Sequence, residues 1–101
     1  MKNRRIEILE LGAIKADNYE AGGYQRKRDD KRIKSLAGKF NEALVDTPLI
    51  AKRPDGSLFV VDGQHTIGVL MSAGYQYYPC NVMDSLGRAD EAPVFLATNS
   101  T

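Results

Sequence analysis

Leu58-Phe59-Val60-Val61-Asp62-Gly63-Gln64-His65-Thr66-Ile67-Gly68-Val69-Leu70-Met71-Ser72-Ala73-Gly74 is the stretch whose reading decides the fold. It opens as a short apolar, β-branched run, the pattern of a buried strand. Asp62-Gly63 ends that run with turn chemistry. From Thr66 onward the period changes: Ile67, Leu70 and Met71 recur at spacings of three and four, which predicts a helix with one apolar face. Gly74 is placed to stop that helix in a left-handed cap. A strand therefore runs through a tight turn into a helix, with Asp62, Gln64, His65 and Thr66 at the junction.

Such a junction has a chemical consequence. The first helical N–H groups lack intrahelical partners, and the helix dipole places partial positive charge beside them. Gly63 lets a backbone or a phosphate approach closely. The result is a ready anion site, although many strand–turn–helix units bind nothing. Asp62 either caps the turn or helps position a metal or phosphate. Gln64 either orders the turn or hydrogen-bonds a ligand. His65 is either a structural hydrogen-bonder or a phosphate donor. Thr66 offers a hydroxyl that caps the helix or touches a phosphate.

Upstream, Leu49-Ile50-Ala51 and Leu58 to Val61 flank the turn Pro54-Asp55-Gly56 and predict a β-hairpin that delivers the chain into the junction. Lys52 and Arg53, at the turn end, read as solvated. Asp30 to Leu44 predicts a helix, because Ile33, Leu36, Ala37, Phe40 and Leu44 share one face. Asp29 or Asp30 is its expected N-cap. Arg26-Lys27-Arg28, Lys31, Arg32 and Lys34 form a basic cluster interrupted by the two aspartates. Downstream, Tyr78 to Met83 predicts a strand, with Cys80 as a small core residue. Tyr75, Tyr77 and Tyr78 either stack on bases or cover the sheet edge. Ala89 to Thr98 reads as a last helix with Val94, Phe95 and Ala97 inward. Pro93 belongs in its first turn, so the helix is expected to begin late. At the other end, Ile6, Ile8 and Leu11 suggest an edge strand, and Gly12 to Gly23 a connection.

Asp62-Gly63-Gln64-His65-Thr66 resembles the DGQHR signature of a phage- and plasmid-associated branch of the ParB/sulfiredoxin superfamily. Other parts of the chain follow in that family's order from about Tyr24 to Asn99. Tyr24-Gln25-Arg26 resembles its Y-Q-R element. Pro48 to Gly56 resembles its P-L-I-V-x-R-x-D-G hairpin, and Tyr78 to Val82 its V-P-C/V-x-V strand. Thr98-Asn99-Ser100-Thr101 resembles its E-N-x-x-R element. The resemblance implies an α+β domain of the ParB/sulfiredoxin-like fold, a small mixed sheet with packed helices. It implies a first segment, 1–23, of strand and connection, and a core at 24–101, within one domain. It also implies that nucleotide phosphates are held at the signature turn, with Arg26, Asp62, Gly63, Gln64, His65, Thr66 and Asn99 as the binding residues and CTP or ATP with Mg²⁺ as the implied ligand.

Three departures stand against that pattern. Gln64 occupies the place of the sulfiredoxin catalytic cysteine, which excludes sulfiredoxin chemistry. Thr66 replaces an arginine that clamps phosphate. Losing a charge-assisted hydrogen bond costs roughly 1.5–3 kcal/mol, or about tenfold to hundredfold in affinity. Thr98 stands where the family has an acid, and the sequence stops one position before the arginine of that element.

Composition sets outer bounds. The 101 residues carry a formal charge of +1, so no global charge points to nucleic acid. No apolar run reaches membrane-spanning length, and no secretory signal is visible. The single cysteine rules out an intrachain disulfide and fits a cytoplasmic location. One Cys and one His argue against a conventional zinc site. The first functional expectation is a nucleotide- or phosphate-binding module of a DNA-associated protein, reaching DNA through a larger assembly. A nuclease or phosphotransferase resting on Asp62 and His65 is the second. A degenerate domain that binds a protein partner is the third.

Overall fold

The computed structural model describes residues 4–39, 41 and 45–98. In order, β1 (Arg4–Glu10) leads through a 3-10 turn to β2 (Ile14–Lys15). A second 3-10 turn (Tyr19–Ala21) precedes α1 (Asp30–Ala37). Then come β3 (Leu49–Lys52), β4 (Leu58–Asp62), α2 (Gln64–Ser72), β5 (Tyr77–Asp84) and α3 (Arg88–Thr98). The strands form one sheet in the order β1-β5-β3-β4-β2. Pairs β1–β5 and β3–β4 are antiparallel, whereas β3–β5 and β2–β4 are parallel. This is the expected α+β class with a small mixed sheet.

Strand periodicity gives the sheet two buried faces. On one face Ile50, Val60, Cys80 and Val82 pack with Leu9, Leu11 and the α2 residues Ile67 and Leu70. On the other, Leu49, Ala51, Val61 and Met83 pack under Phe95 of α3. Cys80 is a core residue as expected, and burial raises its thiol pKa to about 11. Helix α2 ends as the sequence predicts. Gly74 is left-handed (φ 95°), Tyr75 N–H bonds Leu70 O at 3.0 Å, and Gly74 N–H bonds Met71 O at 3.0 Å.

Several expectations need correction. Helix α2 begins at Gln64, before Thr66, and it buries Ile67, Gly68, Val69 and Leu70, whereas Met71 is exposed. The reason is that α2 is packed on two sides, by the sheet and by α1. A Cβ on Gly68 would lie 2.6 Å from Ile33 Cδ1, so the missing side chain sets the distance between α1 and α2. Helix α1 is capped by Asp29, whose Oδ1 accepts from Arg32 N–H at 3.1 Å. It ends at Ala37 with Gly38 as C-cap, short of Leu44. Ile33 is buried but Leu36 is exposed, and Phe40 and Leu44 lie outside the described residues. In β1 the buried face is not the isoleucine face: Leu9 is buried, while Ile6 and Ile8 are 61% and 72% exposed. Ala97 is exposed as well.

The largest departures converge on one buried carboxylate. Glu91 is fully buried and accepts from Arg53 Nε (2.9 Å), Arg53 Nη2 (2.8 Å), Tyr24 Oη (2.7 Å) and Ser85 Oγ. Arg53 Nη2 also donates to Asp17 at 2.9 Å, and Asp17 receives Arg88 at 2.8 and 3.1 Å. The Arg53 guanidinium lies 3.7 Å from the Phe59 ring centroid. Arg53 is therefore the hub of a buried ion cluster and not a solvated turn residue. The cluster also explains Pro93. Glu91 has to lie in the first turn of α3, so the helix starts at Arg88 and Pro93 falls in its second turn, at the expense of one backbone hydrogen bond.

Burial disfavours the Glu91 carboxylate, but hydrogen bonds from Arg53, Ser85 and Tyr24 outweigh it and hold the pKa below its ordinary value. Arg88, then Arg53, lower that of Asp17. Both depressed values make the cluster's stabilisation complete above the unfolded carboxylate range, at roughly pH 4, and lost as pH falls through the folded values. Glu91→Gln is expected to lower unfolding stability by about 3–5 kcal/mol in urea titration at neutral pH. The wild type should lose midpoint on acidification more steeply than the variant. Gly68→Val, which drives a branched side chain into Ile33, should cost about 1–3 kcal/mol in the same assay.

Candidate functional site

The signature turn is shaped by an irregularity in the hairpin. The β3–β4 register shifts between Leu49 and Ile50, so Leu49 pairs with Asp62 but Ile50 with Val60. A bulge of this kind re-aims a strand end and leaves ladder groups unpaired. Gln25 answers that need: its buried Nε2 donates to Val60 O and Val61 O, both at 3.0 Å. Gln64 Nε2 then donates to Arg26 O at 3.0 Å and reaches Gln25 Oε1 at 3.5 Å. Two side-chain amides thus tie the Tyr24-Gln25-Arg26 segment to the turn.

Gly63 makes the turn with φ 100°. A Cβ there would also meet Pro48 Cα at 3.2 Å, so the position suits glycine on both conformational and steric grounds. Helix α2 starts directly after it without a side-chain cap. Asp62 and Thr66 therefore do not cap this helix. Ile67 N–H is the first to bond back, to Gly63 O at 2.9 Å. Gln64, His65 and Thr66 precede that bond, so helix geometry leaves their N–H groups without an intrahelical acceptor.

A cavity of about 270 Å³ opens at this helix start. Arg26, Asp62, Gly63, Gln64, His65 and Thr66, six residues of the expected site, all line it. Asn99, the seventh, lies outside the described residues. Gln25, Arg32, Val61 and Phe95 complete the wall. Asp62 is its only carboxylate among the described residues, set against the two guanidinium-bearing side chains of Arg26 and Arg32. The wall therefore combines helix N–H groups, two cations, an imidazole and a hydroxyl, a donor set suited to phosphate oxygens. Among the described residues no group of three or more His, Cys, Asp or Glu side chains gathers as a metal site. A second cavity, of about 570 Å³, adjoins Gln64 and carries Lys15, Lys27 and Arg28 over a floor that includes Val60 and Ile67.

His65 Nε2 accepts the Asp29 backbone N–H at 3.3 Å, an arrangement that requires the neutral ring with its proton on Nδ1. The bond joins the start of α2 to the N-cap of α1. Tyr75 and Tyr78 stack edge to face, with centroids 5.5 Å apart, and pack against the core. Sequence reading did not single out Arg32 or the amide role of Gln25. Arg32 reads as an off-face cation until α1 is placed against α2. Gln25 has no visible task until the bulge is known.

Comparison with known proteins places this geometry. No curated protein matches the sequence. Solved structures do match. The C-terminally truncated chromosome-partitioning protein ParB of Caulobacter crescentus, complexed with CTP-gamma-S, superposes with a TM-score of 0.69 at 14% identity, over 94% of this chain and 52% of that one. The same protein complexed to the centromeric parS site gives 0.63 at 14% identity, over 92% and 46%. A pNOB8-like ParB N-domain gives 0.67 at 12% identity, over 98% and 35%. The chain thus spans about half or less of each of these proteins, and at such identities the likeness is one of fold: the expected ParB/sulfiredoxin-like fold is present. Sequence goes further over residues 19–101, which match a family of unknown function, DUF6551, so the chain belongs to that family.

Proposed function

We propose that the chain is a nucleotide- and phosphate-binding ParB-like module of a DNA-associated phage or plasmid protein. Phosphates are held at the start of α2, between the N–H groups of Gln64, His65 and Thr66 on one side and Arg26 and Arg32 on the other. The observation that carries this reading is the uncapped start of α2 at the wall of a cavity that also presents two arginines. The complex of a similarly folded protein with CTP-gamma-S supports it. So does the charge distribution: residues 26–39 carry seven of the 14 Lys and Arg side chains against two carboxylates, although the whole chain is nearly neutral.

The threonine in the signature alters how the charge is supplied. The Thr66 side chain contributes only a hydroxyl, and Arg32, delivered from the first turn of α1, provides the guanidinium that the turn lacks. A nucleoside triphosphate such as CTP or ATP fits the donor set. With Mg²⁺ bound to the triphosphate, the only protein carboxylate at the wall among the described residues is Asp62. DNA contact then belongs to the larger assembly in which the module works.

Calorimetric titration with CTP, ATP and their diphosphates, with and without Mg²⁺, tests the proposal. Saturable binding is expected. His65→Ala should weaken it, and Arg32→Ala should weaken it by about tenfold to hundredfold, the worth of one charge-assisted hydrogen bond. Arg32→Lys should recover only part, because an ammonium cannot reproduce a two-pronged guanidinium contact. No heat with any nucleotide at millimolar concentration would overturn the reading and leave recognition of a protein partner as the function to pursue.

A further inference from the structure

The sheet has two edges of very different character. At one end β2 is only two residues long. At the other, β1 runs for seven residues, and among the described residues no strand pairs with its outer side. Long open edges template the addition of another strand.

The direction of the β1 backbone groups follows from the ladder. Leu11 N–H bonds Gln76 O at 2.9 Å, in register with the β1–β5 pairs. Antiparallel pairs alternate between bonded and non-bonded. Leu9, Glu7 and Arg5 therefore bond inward to β5, while Glu10, Ile8, Ile6 and Arg4 direct N–H and C=O outward. Two details agree. Pro79, which has no N–H, stands opposite Ile8 at a non-bonded pair. Asn81 N–H turns the other way, to Pro48 O at 2.9 Å.

The same four residues set the chemistry of the edge. Ile6 and Ile8 project onto the sheet face shared with Met83, the face that carries α3. Phe95 of α3 packs on Leu49, Ala51, Val61 and Met83, and leaves the β1 margin uncovered, with both isoleucines and Pro79 exposed. The strand reads Arg4-Arg5-Ile6-Glu7-Ile8-Leu9-Glu10, cationic at its start and acidic at its end. Such a sequence is self-complementary when it meets a reversed copy of itself.

We infer that the outer edge of β1 is a docking surface for β1 of a second copy, antiparallel and centred on Glu7, which joins two sheets into one. In this register Arg4 faces Glu10 of the partner subunit, and Ile6 faces Ile8 of the partner subunit, each twice by symmetry. The outward N–H and C=O groups of those residues supply the new ladder. Four isoleucines close over one another on the α3 face. On the opposite face the two Glu7 side chains meet, each already paired with Arg5 of its own strand, and Arg5 also lies 3.2 Å from Asp84. The contact is small by the standard of stable dimers, so association is concentration-dependent.

Sedimentation equilibrium over a range from about 10 µM to 1 mM, the regime expected of small interfaces, tests the inference. The 11.2 kDa protomer mass should double toward the upper end. Ile8→Pro removes one outward N–H without touching the bonds to β5, and should keep the chain monomeric. Should that variant fail to fold, Ile8→Lys tests the same contact. Arg4→Glu should weaken association by about tenfold, and Arg4→Glu combined with Glu10→Arg should restore it. Amide exchange at Ile6 and Ile8, but not at Glu7, should slow with concentration. A mass of one protomer throughout overturns the inference, as does a dimer that survives Ile8→Pro or that Arg4→Glu leaves unweakened, or one that the charge exchange fails to restore. Nucleotide titration of Ile8→Lys reads the α2 site separately, and the edge contact stands or falls independently of it.

Discussion

A carboxylate removed from water has to be surrounded by donors, and in this protein that requirement falls on Glu91. An unpaired ionised group at such a site would cost several kcal/mol, so every element that supplies a donor is fixed in place by it. Arg53 comes from the β3–β4 hairpin, Tyr24 from the segment before α1, and Ser85 from the end of β5. Asp17 extends the cluster to the connection after β2, and Arg88 closes it from the first turn of α3. Five segments, from the connection after β2 to α3, are thus held by one ionic cluster, partly shielded by Phe59. Replacement of such a cluster by apolar residues need not destabilise a fold. Its effect here is positional: few other arrangements of these segments would satisfy both carboxylates at once.

Position is what the candidate site needs. Tyr24 is anchored to Glu91, which places the adjacent Gln25 under the bulge in β4. The bulge exposes two carbonyls, the Gln25 amide satisfies them, and the strand end is thereby aimed into the left-handed turn at Gly63. Arg26 follows Gln25 in sequence and is held through its own carbonyl by Gln64. The chain from buried carboxylate to cavity wall is therefore short: Glu91, Tyr24, Gln25, then Arg26 and the start of α2. Ordered side chains at a ligand site depend on this kind of support, because a first contact is only as well placed as the groups behind it.

Much of this was legible in the sequence, for identifiable reasons. Leu58 to Gly74 carries its own punctuation, with a change of period at the turn and glycines at the two left-handed positions, so strand, turn, helix and cap could all be read locally. The six residues of the turn and of Arg26 that share the cavity were likewise visible, five of them because they are contiguous. What was not legible depends on partners distant in sequence. Arg53 looks like any polar residue beside a Pro-Asp-Gly turn until Asp17 and Glu91 are brought to it. Pro93 reads as a first-turn residue because helix propensity knows nothing of Glu91. The isoleucines of β1 satisfy a period-two pattern, but period alone cannot say which face the fold will cover, and in β1 it buries Leu9 instead. Arg32 becomes part of the cavity only when Gly68 lets α1 close on α2.

That last dependence bears on how such a site is tuned. In the proposed site one of the two guanidiniums, that of Arg32, comes from α1 and not from the turn itself, so its distance from the phosphates is set by helix packing. Two contacts define that packing near the cavity: Ile33 against Gly68, and the Asp29 N–H donated to His65. Asp29 is also the residue that caps α1 and receives Arg32 N–H. The imidazole, the cap and the arginine backbone are therefore in series, and a ligand that draws on His65 acts on the helix that presents Arg32. An arginine within the turn would bind phosphate whatever α1 did. On that proposal, with threonine at that place, affinity would depend on the interhelical contact as well as on the groups that touch the ligand.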